Sequence, residues 1–468
     1  MNCFLKMKLR FVFLLFGGFM DFKELYAKER PYAIEVLKKL ISFKTVLDEY
    51  KENSDAPFGT ENKKALEYIL SVGKKDGFNV KNVDHYAGHI EFGEGDEILG
   101  VLAHLDVVPV NSEEWDFDPF TLRFSLGKMY ARGALDDKGP LVASYIALKM
   151  LKDMGFMPKK RIRLIMGCDE ESGSRCLKRY LEKEEKPTIG FSPDACFPLI
   201  YGEKAMTSYD ILGDLSDDII VSFTAGERYN VVPSYAEMEL KEDYSKEFMA
   251  FLKEKNYQGE YKDSKYIAYG VAAHAMNPEL GVNAAYILFE FLAKYTNSKL
   301  AKFMDEYFLG DTWGMKLGYD MYDPDMKYLT SNFAVVRGEN NTFKLGVNCR
   351  VPLDSQFKVI EECVAKATEK YGYSYKILYN SPRHYVDPNS FLVTKLMDVY
   401  REVTKDYENG PITIGGGTYA REIGKAVAFG PLVVGREDVC HIANEYFYES
   451  DFDLAVEVYF KAMYELCK

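Results

Sequence analysis

The segment Gly100-Val-Leu-Ala-His104-Leu-Asp106-Val-Val-Pro109 decides the fold predicted for this chain. The apolar residues 97–103 predict a buried strand that ends before Pro109, so His104 and Asp106 lie near its carboxyl end. Open α/β sheets bind their ligands at this edge. Residues two apart on a strand point the same way, so Asp106 can accept a hydrogen bond from one ring nitrogen of His104 while the other nitrogen binds a metal. A core histidine paired with a nearby acid explains this motif alone equally well.

The composition is that of a folded, acidic protein. A chain of 468 residues exceeds what one core holds, and 47% hydrophobic and 15% aromatic residues supply side chains for several cores. The formal net charge of −13 argues against nucleic acid or an anionic membrane surface as a partner. The eight cysteines form no CxxC pair, which favours reduced, structural thiols. We therefore expect a cytoplasmic protein.

Residues 1–20 form an unusual N-terminal extension. Basic residues precede the apolar run 11–20, as at the start of a targeting segment. The run is shorter than the about 20 residues that span a membrane, and no small-residue cleavage site follows it. An over-extended start, with Met20 as the true one, and a genuine targeting or anchor segment both remain open. We expect no stable membrane association.

A pair of acids precedes a predicted helix, residues 141–154. Asp136 and Asp137 lie in the turn before it, where the helix N-terminus favours negative charge. An N-cap needs only one of them, and a metal would explain the second.

Further acids follow two other strand-like segments. Residues 169–171, Asp-Glu-Glu, come directly after the apolar segment 161–167, and Asp194 follows the apolar segment 189–191. Carboxylates crowded into a partly buried place attract a cation or have raised pKa values. These strand ends are therefore candidate parts of one site.

The sequence pattern changes near Gly202 and again near residue 385. Between these points, alternating polar and apolar residues predict strands, and residues 283–295 and 355–371 predict two amphipathic helices. This mixture favours an α+β domain inserted into the first domain. The predicted organisation is an extension (1–20), a main domain in two parts (21–203 and 385–468) and an inserted domain (204–384).

The strand-end acids and histidines form one candidate metal site. Its predicted ligands are His104, Asp136, Glu171, Asp194 and His441. Two imidazoles and three carboxylates suit Zn²⁺, tolerate Mn²⁺ or Co²⁺, and suffice for two ions with one bridging carboxylate. Paired ions polarise a carbonyl and activate a water, while a carboxylate that is not a ligand takes the proton. Glu170 and Glu171 suit this division because neighbouring side chains diverge.

Five blocks, in order, resemble one metallopeptidase superfamily, which includes acetylornithine deacetylase, succinyl-diaminopimelate desuccinylase, aminoacylase and the PepV-type dipeptidases. The blocks are Ala103-His104-Leu-Asp106-Val-Val-Pro109, Trp115-x-x-Asp118-Pro119-Phe120, Ala131-Arg132-Gly133-x-x-Asp136-Asp137-Lys138-Gly139-Pro140, Asp169-Glu170-Glu171-Ser-Gly173 and Phe191-Ser192-Pro193-Asp194. The similarity covers nearly the whole chain from about residue 21 and is greatest to the PepV-type dipeptidases. The resemblance implies an α/β, zinc-peptidase-like catalytic domain, with a mixed sheet flanked by helices, and an inserted α+β lid domain.

The resemblance also implies how the ligands are shared. His104, Asp136 and Asp194 would hold one ion. Asp136, Glu171 and His441 would hold the other.

Two further roles follow from the same resemblance. Asp106 would orient His104, and Glu170 would act first as general base and then as general acid. The peptide bond between Asp136 and Asp137 would be cis.

The lid would supply residues that contact the substrate. The segments that resemble lid motifs are 226–233 and 270–284. Asn230 and His274 would reach over the metals, and His274 would stabilise the oxyanion of the tetrahedral intermediate. Arg350 would bind the terminal carboxylate of the substrate bidentately, with backbone donors of Gly415 and Gly416 close by. Without the resemblance, the glycines could form only a turn, and Arg350 a surface ion pair.

Three functions agree with these residues. The first is a metal-dependent dipeptidase that acts on unblocked dipeptides, and the alternative is an N-acyl amino acid deacylase of the desuccinylase or deacetylase type. The third, a metal-binding protein without activity, is disfavoured because Glu170, His274 and Arg350 are all present. The lid of residues 204–384 exceeds the compact insert that many of the deacylases use to dimerise. It favours the dipeptidase, with a small peptide as substrate, and a monomer.

Overall fold

The computed structural model describes residues 22–468, so the predicted extension, residues 1–20, lies outside the described residues. The described chain divides into two compact units. Unit 1 contains residues 22–200, 386–411 and 418–468, and unit 2 contains residues 201–385 and 412–417. The boundaries at residues 200/201 and 385/386 differ by one to three residues from those predicted between the catalytic and lid domains. The assignment of residues 412–417 to unit 2 was not expected.

The first part of unit 1 alternates helices and strands. Its helices are α1 (Phe22–Ile41), α2 (Thr60–Lys75), α3 (Lys138–Asp153) and α4 (Arg175–Lys183). Its strands are β1 (Asn79–Val83), β2 (Ala87–Phe92), β3 (Ile98–His104), β4 (Arg123–Ser125), β5 (Lys128–Tyr130), β6 (Arg161–Gly167), β7 (Ile189–Ser192) and β8 (Ala195–Cys196). A 3₁₀ turn, Ser112–Glu114, precedes β4.

The middle of the chain is rich in strands. These are β9 (Ile200–Glu203), β10 (Ala205–Asp214), β11 (Ile220–Ala225), β12 (Tyr235–Leu240), β13 (Gln258–Lys262), β14 (Lys265–Tyr269), β15 (Tyr322–Asp323), β16 (Lys327–Tyr328), β17 (Thr330–Glu339), β18 (Thr342–Val351), β19 (Ser374–Ser381) and β20 (His384–Tyr385). The helices among them are α5 (Ser245–Lys255), α6 (Ala284–Tyr295), α7 (Lys299–Tyr307) and α8 (Gln356–Tyr371), with a 3₁₀ turn at Pro278–Leu280.

The last part of the chain returns to unit 1, except for one strand. The elements in order are α9 (Phe391–Thr404), β21 (Ile412–Ile414), α10 (Ala420–Ile423), β22 (Ala426–Ala428), β23 (Pro431–Leu432), β24 (Tyr446–Tyr448) and α11 (Glu449–Cys467). Strand β21 is the one assigned to unit 2. No helix within residues 22–468 combines the length and the hydropathy that crossing a membrane requires.

A mixed sheet forms the centre of unit 1. Within this unit its strands run in the order β1-β2-β6-β3-β7-β22. The strands β6, β3, β7 and β22 are parallel, whereas β2 is antiparallel to both β1 and β6. All seven residues of β3 are buried, as expected for a central parallel strand covered on both faces. The predicted α/β domain with a mixed sheet is therefore confirmed.

Unit 2 is built on an antiparallel sheet of eight strands. Their order is β13-β14-β12-β11-β17-β18-β10-β19. Apolar side chains of the sheet and of all four helices form one core, which includes Phe223, Phe248, Phe291, Phe303 and Ile360. The predicted α+β character is confirmed, but the expectation of two helices is wrong, because α5 and α7 are also present. These two helices have 11 and 9 residues and were not recognised in the sequence.

Candidate metal and active site

Three parallel strands of unit 1 end at one edge of the sheet. In the pairing of β3 with β6, His104 lies opposite Gly167, and β7 runs parallel to β3. The residues that follow these ends, among them Asp106, residues 169–171 and Asp194, therefore emerge at the same edge. This is the edge at which open α/β sheets bind ligands.

The Asp136 carboxylate lies between two imidazoles. Its Oδ1 is 2.9 Å from Nε2 of His104, and its Oδ2 is 2.9 Å from Nε2 of His441. Oε1 of Glu171 is 3.1 Å from the same nitrogen of His441, and Oδ2 of Asp194 is 3.6 Å from Nε2 of His104. The structure thus brings all five predicted ligands together, with Asp136 shared between the two histidines.

Glu170 belongs to the same cluster. Its carboxylate lies within 4.8 Å of ligand atoms of both His104 and Asp194. A second set with equally close ligand atoms consists of His104, Asp136 and Glu171. The division of the ligands implied by the resemblance put Glu171 with His441 and left Glu170 outside both sets. Proximity alone therefore allows Glu170 to act as a ligand or as a base.

Buried negative charge dominates the electrostatics of the cluster. Burial and the neighbouring charge of Asp136 raise the pKa of Glu171 to about 7 and that of Asp194 to about 6. Burial and the charge of Asp194 also raise the pKa of Glu170. Burial lowers the pKa of His441, but the carboxylates of Asp136 and Glu171 outweigh it and raise this pKa to about 11. A cluster with this excess of carboxylates favours a bound cation.

The Asp106 carboxylate supports the acidic loop rather than the ring of His104. Nδ1 of His104 is 2.9 Å from the backbone carbonyl oxygen of Asp106 and 3.6 Å from its carboxylate. That carboxylate accepts hydrogen bonds of 3.0 Å from the backbone N–H groups of Glu170 and Glu171. The contact expected from strand alternation differs because Asp106 lies beyond the end of β3, where alternation no longer fixes side-chain direction.

Asp137 secures the end of β3. The Asp136–Asp137 peptide bond is cis, as the resemblance implied. Asp137 is fully buried, and its Oδ2 accepts a 3.0 Å hydrogen bond from the backbone N–H of His104. The two acids therefore have different roles. Asp136 contacts the imidazoles of His104 and His441, whereas Asp137 binds the backbone of His104.

In unit 2, two loops that carry predicted substrate-binding residues lie side by side. Val231 and His274 form a bridge between the loops, and the N–H of Ala275 donates a 2.9 Å hydrogen bond to the carbonyl oxygen of Asn230. The buried Asn332 donates from Nδ2 to the carbonyl oxygens on either side of Asn230, those of residues 229 and 231, at 3.0 and 3.1 Å. Asn230 is half-buried, and His274 is exposed.

Arg350 is buried in unit 2, which excludes a surface ion pair. Its Nε donates to Oδ1 of Asn348 and its Nη1 donates to the carbonyl oxygen of Gly415, both at 2.9 Å. A side chain on Gly415 would place its Cβ 2.7 Å from Cβ of Met276, two residues after His274. Unit 2 therefore brings Arg350, Gly415 and the loop of His274 together. Gly416, the other predicted donor, is half-buried and follows in the same turn.

Sequence reasoning gave no role to the side chain of Tyr419, whose ring packs against that of His104. The two rings meet edge to face, with centroids 6.2 Å apart, and the Tyr419 hydroxyl is 2.9 Å from Sγ of Cys176. A Cβ on Gly167 would lie only 2.1 Å from that hydroxyl. The glycine at the end of β6 was therefore the available sign that a large side chain packs there.

A buried ion pair was also missed. Oε2 of Glu445 is 2.6 Å from Nη1 of Arg132, and both residues are almost fully buried. The spacing offered a sign, because Glu445 follows His441 by four residues and Arg132 precedes Asp136 by four.

Comparison with known proteins agrees with this architecture. The family model "Peptidase family M20/M25/M40" matches residues 100–465. A Staphylococcus aureus (strain bovine RF122 / ET3-1) protein named "putative dipeptidase" is 40% identical over 466 residues, covering 95% of this chain and 99% of that protein.

Solved structures share the fold. Human carnosine dipeptidase 1 has a TM-score of 0.59 and 15% identity, and the match covers 95% of this chain and 98% of that chain. The dipeptidase Dug1p of Saccharomyces cerevisiae has a TM-score of 0.56 and 16% identity, with coverage of 95% and 98%. Because the family model spans most of the chain and the bacterial relative nearly all of it, the chain belongs to peptidase family M20/M25/M40, whose catalytic and lid domains correspond to the fold described above.

Proposed function

We propose that this protein is a metal-dependent dipeptidase that hydrolyses the peptide bond of unblocked dipeptides. The observation that carries the proposal is the convergence of two imidazoles and four carboxylates at the ends of three parallel strands. The name of the bacterial relative, "putative dipeptidase", supports this choice of substrate. The protein acts as a monomer in the cytoplasm and takes small peptides as its substrates.

The donor set fits two divalent cations. His104, Asp136 and Asp194 would hold one, and Asp136, Glu171 and His441 the other. Mixed imidazole and carboxylate ligands favour Zn²⁺ and also accept Mn²⁺ or Co²⁺. The crowding of buried carboxylates, with the raised pKa values of Glu171 and Asp194, supports cation binding. When bound, the ions polarise the scissile carbonyl and lower the pKa of the attacking water.

Glu170 is the proposed general base. It takes one proton from the attacking water, whose oxygen bonds to the carbonyl carbon, and then passes the proton to the nitrogen as the C–N bond breaks. The carboxylate of Asp106 fixes the backbone N–H of Glu170 and so positions this base. Burial and the charge of Asp194 raise the pKa of Glu170, and such shifted pKa values are typical of groups that transfer protons.

Residues of unit 2 recognise the substrate. Arg350 binds the terminal carboxylate of the dipeptide, and the backbone of Gly415 and Gly416 contributes to the same subsite. His274 stabilises the oxyanion as the carbonyl carbon becomes tetrahedral, with Asn230 beside it. The support for these roles is that Arg350, Gly415 and the two loops lie together within this unit.

A kinetic panel tests the proposal. The protein is first freed of metal with a chelator and then given Zn²⁺, Mn²⁺ or Co²⁺. Hydrolysis is measured for a dipeptide, its C-terminal amide and its N-acetylated form. We expect hydrolysis of the free dipeptide alone, because the amide lacks the carboxylate for Arg350 and the acetylated form lacks the free amino end. Turnover of N-acetyl or N-succinyl amino acids in preference to dipeptides would instead identify the deacylase. No turnover of any dipeptide by metal-loaded protein would refute the proposal.

A further inference from the structure

We infer that Arg132 and Glu445 are positioning residues that hold Asp136 and His441 in place and thereby set the metal affinity of the site. This inference rests on the proposed metal-dependent function. Neither side chain belongs to the ligand set, since the hydrogen bonds of both are with each other and with the backbone of the two ligand-bearing loops.

The first contacts fix the loop that carries Asp136. Oε1 of Glu445 accepts hydrogen bonds from the backbone N–H groups of Leu135, at 2.8 Å, and Asp136, at 3.2 Å. Oε2 accepts one from Gly133 at 3.2 Å, in addition to the bond from Arg132. One carboxylate therefore binds three backbone donors of this loop, including that of the bridging ligand itself.

The second contacts fix the loop that carries His441. Nη2 of Arg132 donates to the carbonyl oxygen of Ile442 at 3.2 Å, and the N–H of Ala131 donates to the carbonyl oxygen of Glu445 at 3.1 Å. His441 and Asn444 have positive φ angles of 64° and 59°. Such left-handed conformations cost energy in residues other than glycine, and they persist where surrounding contacts hold them. Arg132 and Glu445 supply those contacts at both ends of the turn.

A third loop packs against the ion pair of Arg132 and Glu445. The ring of Trp115 lies over the guanidinium of Arg132, with the guanidinium carbon 5.3 Å from the ring centroid. The backbone N–H of Arg132 donates to the carbonyl oxygen of Pro119 at 2.9 Å. Asp116 and Asn444 exchange two hydrogen bonds of 3.1 Å. The segment 115–119, which has no role in the proposed reaction, thus joins the two ligand-bearing loops through Arg132 and Asn444.

Stability alone does not account for this arrangement. A buried ion pair can often be exchanged for apolar side chains without loss of stability. An apolar pair could not donate to a carbonyl of one ligand-bearing loop and accept from backbone N–H groups of the other. Groups that orient metal ligands commonly change metal affinity by about 10- to 100-fold when they are substituted.

The test measures metal binding directly. Metal-free Glu445→Gln is titrated with Co²⁺, and the d–d absorption of the bound ion gives the affinity. We expect affinity about 10- to 100-fold below that of the wild type, because the amide group keeps one acceptor and turns a donor toward the loop. Arg132→Lys, which keeps the charge, should bind Co²⁺ more tightly than Arg132→Met, which does not. This pair keeps the inference testable if the Glu445 variant fails to fold.

Glu91→Gln is the matched control. Glu91 and Arg163 form an equally short ion pair, 2.6 Å, between β2 and β6, without contact to the ligand-bearing loops. We expect this variant to have a lower melting temperature and unchanged Co²⁺ affinity. Wild-type affinity in Glu445→Gln, or equal losses in both variants, would overturn the inference and leave the proposed dipeptidase intact. Failure of the wild-type protein to bind Co²⁺ would overturn both.

Discussion

The two units gather their functional residues in different ways. In unit 1, His104, Glu171 and Asp194 lie at or just after the ends of parallel strands, whereas Asp136 and His441 lie on loops, and the side chains of the cluster contact one another directly. In unit 2, the candidate substrate-binding residues lie on loops and on an antiparallel sheet, where buried polar groups such as Asn332 and Asn348 hold them. A parallel sheet brings the residues that follow its strand ends to one edge through its topology. The loops that carry Asp136 and His441 in unit 1, like the loop of Asn230 in unit 2, are held by hydrogen bonds from buried polar side chains.

This difference leads to different kinetic expectations. Substitutions in the cluster of unit 1 should act on metal binding and on kcat. Substitutions in unit 2 outside His274, which acts on the oxyanion, should act on substrate recognition and therefore on KM, with smaller effects on kcat. The four predictions below test this division, starting with the largest expected effect.

Removal of divalent cations should abolish hydrolysis. The clustered carboxylates of unit 1 repel one another when no cation neutralises them, and no other group in the cluster can replace the Lewis acid. Dialysis against a chelator should reduce dipeptide turnover to background, and Zn²⁺, Mn²⁺ or Co²⁺ should restore it. The metal content of the same samples is measured. Full activity in protein shown to be metal-free would contradict the assignment of this cluster.

Glu170→Ala should lower kcat by about 10²- to 10⁴-fold, the usual contribution of a general base, while the metal content stays constant. Glu171→Ala is the matched comparison, because Oε1 of Glu171 lies 3.1 Å from His441 and the side chain is a proposed ligand. Steady-state kinetics and metal analysis of both variants separate the two roles. Loss of metal from Glu170→Ala would make Glu170 a ligand, as its position beside His104 and Asp194 also allows.

The sequence predicted much of unit 1 because its signals are local and strong. The apolar runs 97–103 and 161–167 correspond to β3 and β6 within one residue, and these two strands pair in parallel. The direction of the Asp106 carboxylate could not be predicted, since this residue lies beyond the strand. Glu445 was missed because its partners are backbone groups about 310 residues away in sequence, and no periodic pattern reports such contacts.

Less of unit 2 could be predicted from the residues themselves. Strand β10 contains buried polar residues such as Ser208 and Asp210, which interrupt the apolar pattern that identifies a buried strand. The roles of Asn230, His274 and Arg350 came only from the family resemblance, since no strand end gathers them. The burial of Arg350 and its bond to Gly415 became evident only from the structure, where β18 and the turn at residues 415–416 meet.

Arg350→Met should raise KM for dipeptides by about 10²-fold, the lower range of the loss when one partner of a buried, charge-assisted pair is removed. The matched control is Arg337→Met, because Arg337 lies in the same sheet and its Nη1 also donates to backbone carbonyls, those of Ala225 and Val336. Both variants should keep the metal content of the wild type. Equal KM effects in the two variants would remove Arg350 from the substrate site.

The smallest effect is expected from Asn332→Ala. Loss of the two hydrogen bonds to the carbonyl oxygens beside Asn230 should lower the free energy of unfolding by about 1–3 kcal/mol. It should also raise KM several-fold, because the loop of Asn230 is then less well placed for the substrate. Asp218→Ala serves as control, since Asp218 is buried in the same unit and accepts hydrogen bonds from Ser298 and Leu300 at the start of α7. If denaturant unfolding shows similar losses for both variants and KM rises only in Asn332→Ala, then the polar group places the loop, as the comparison of the two units requires. An unchanged KM in both would mean that the antiparallel sheet alone positions Asn230.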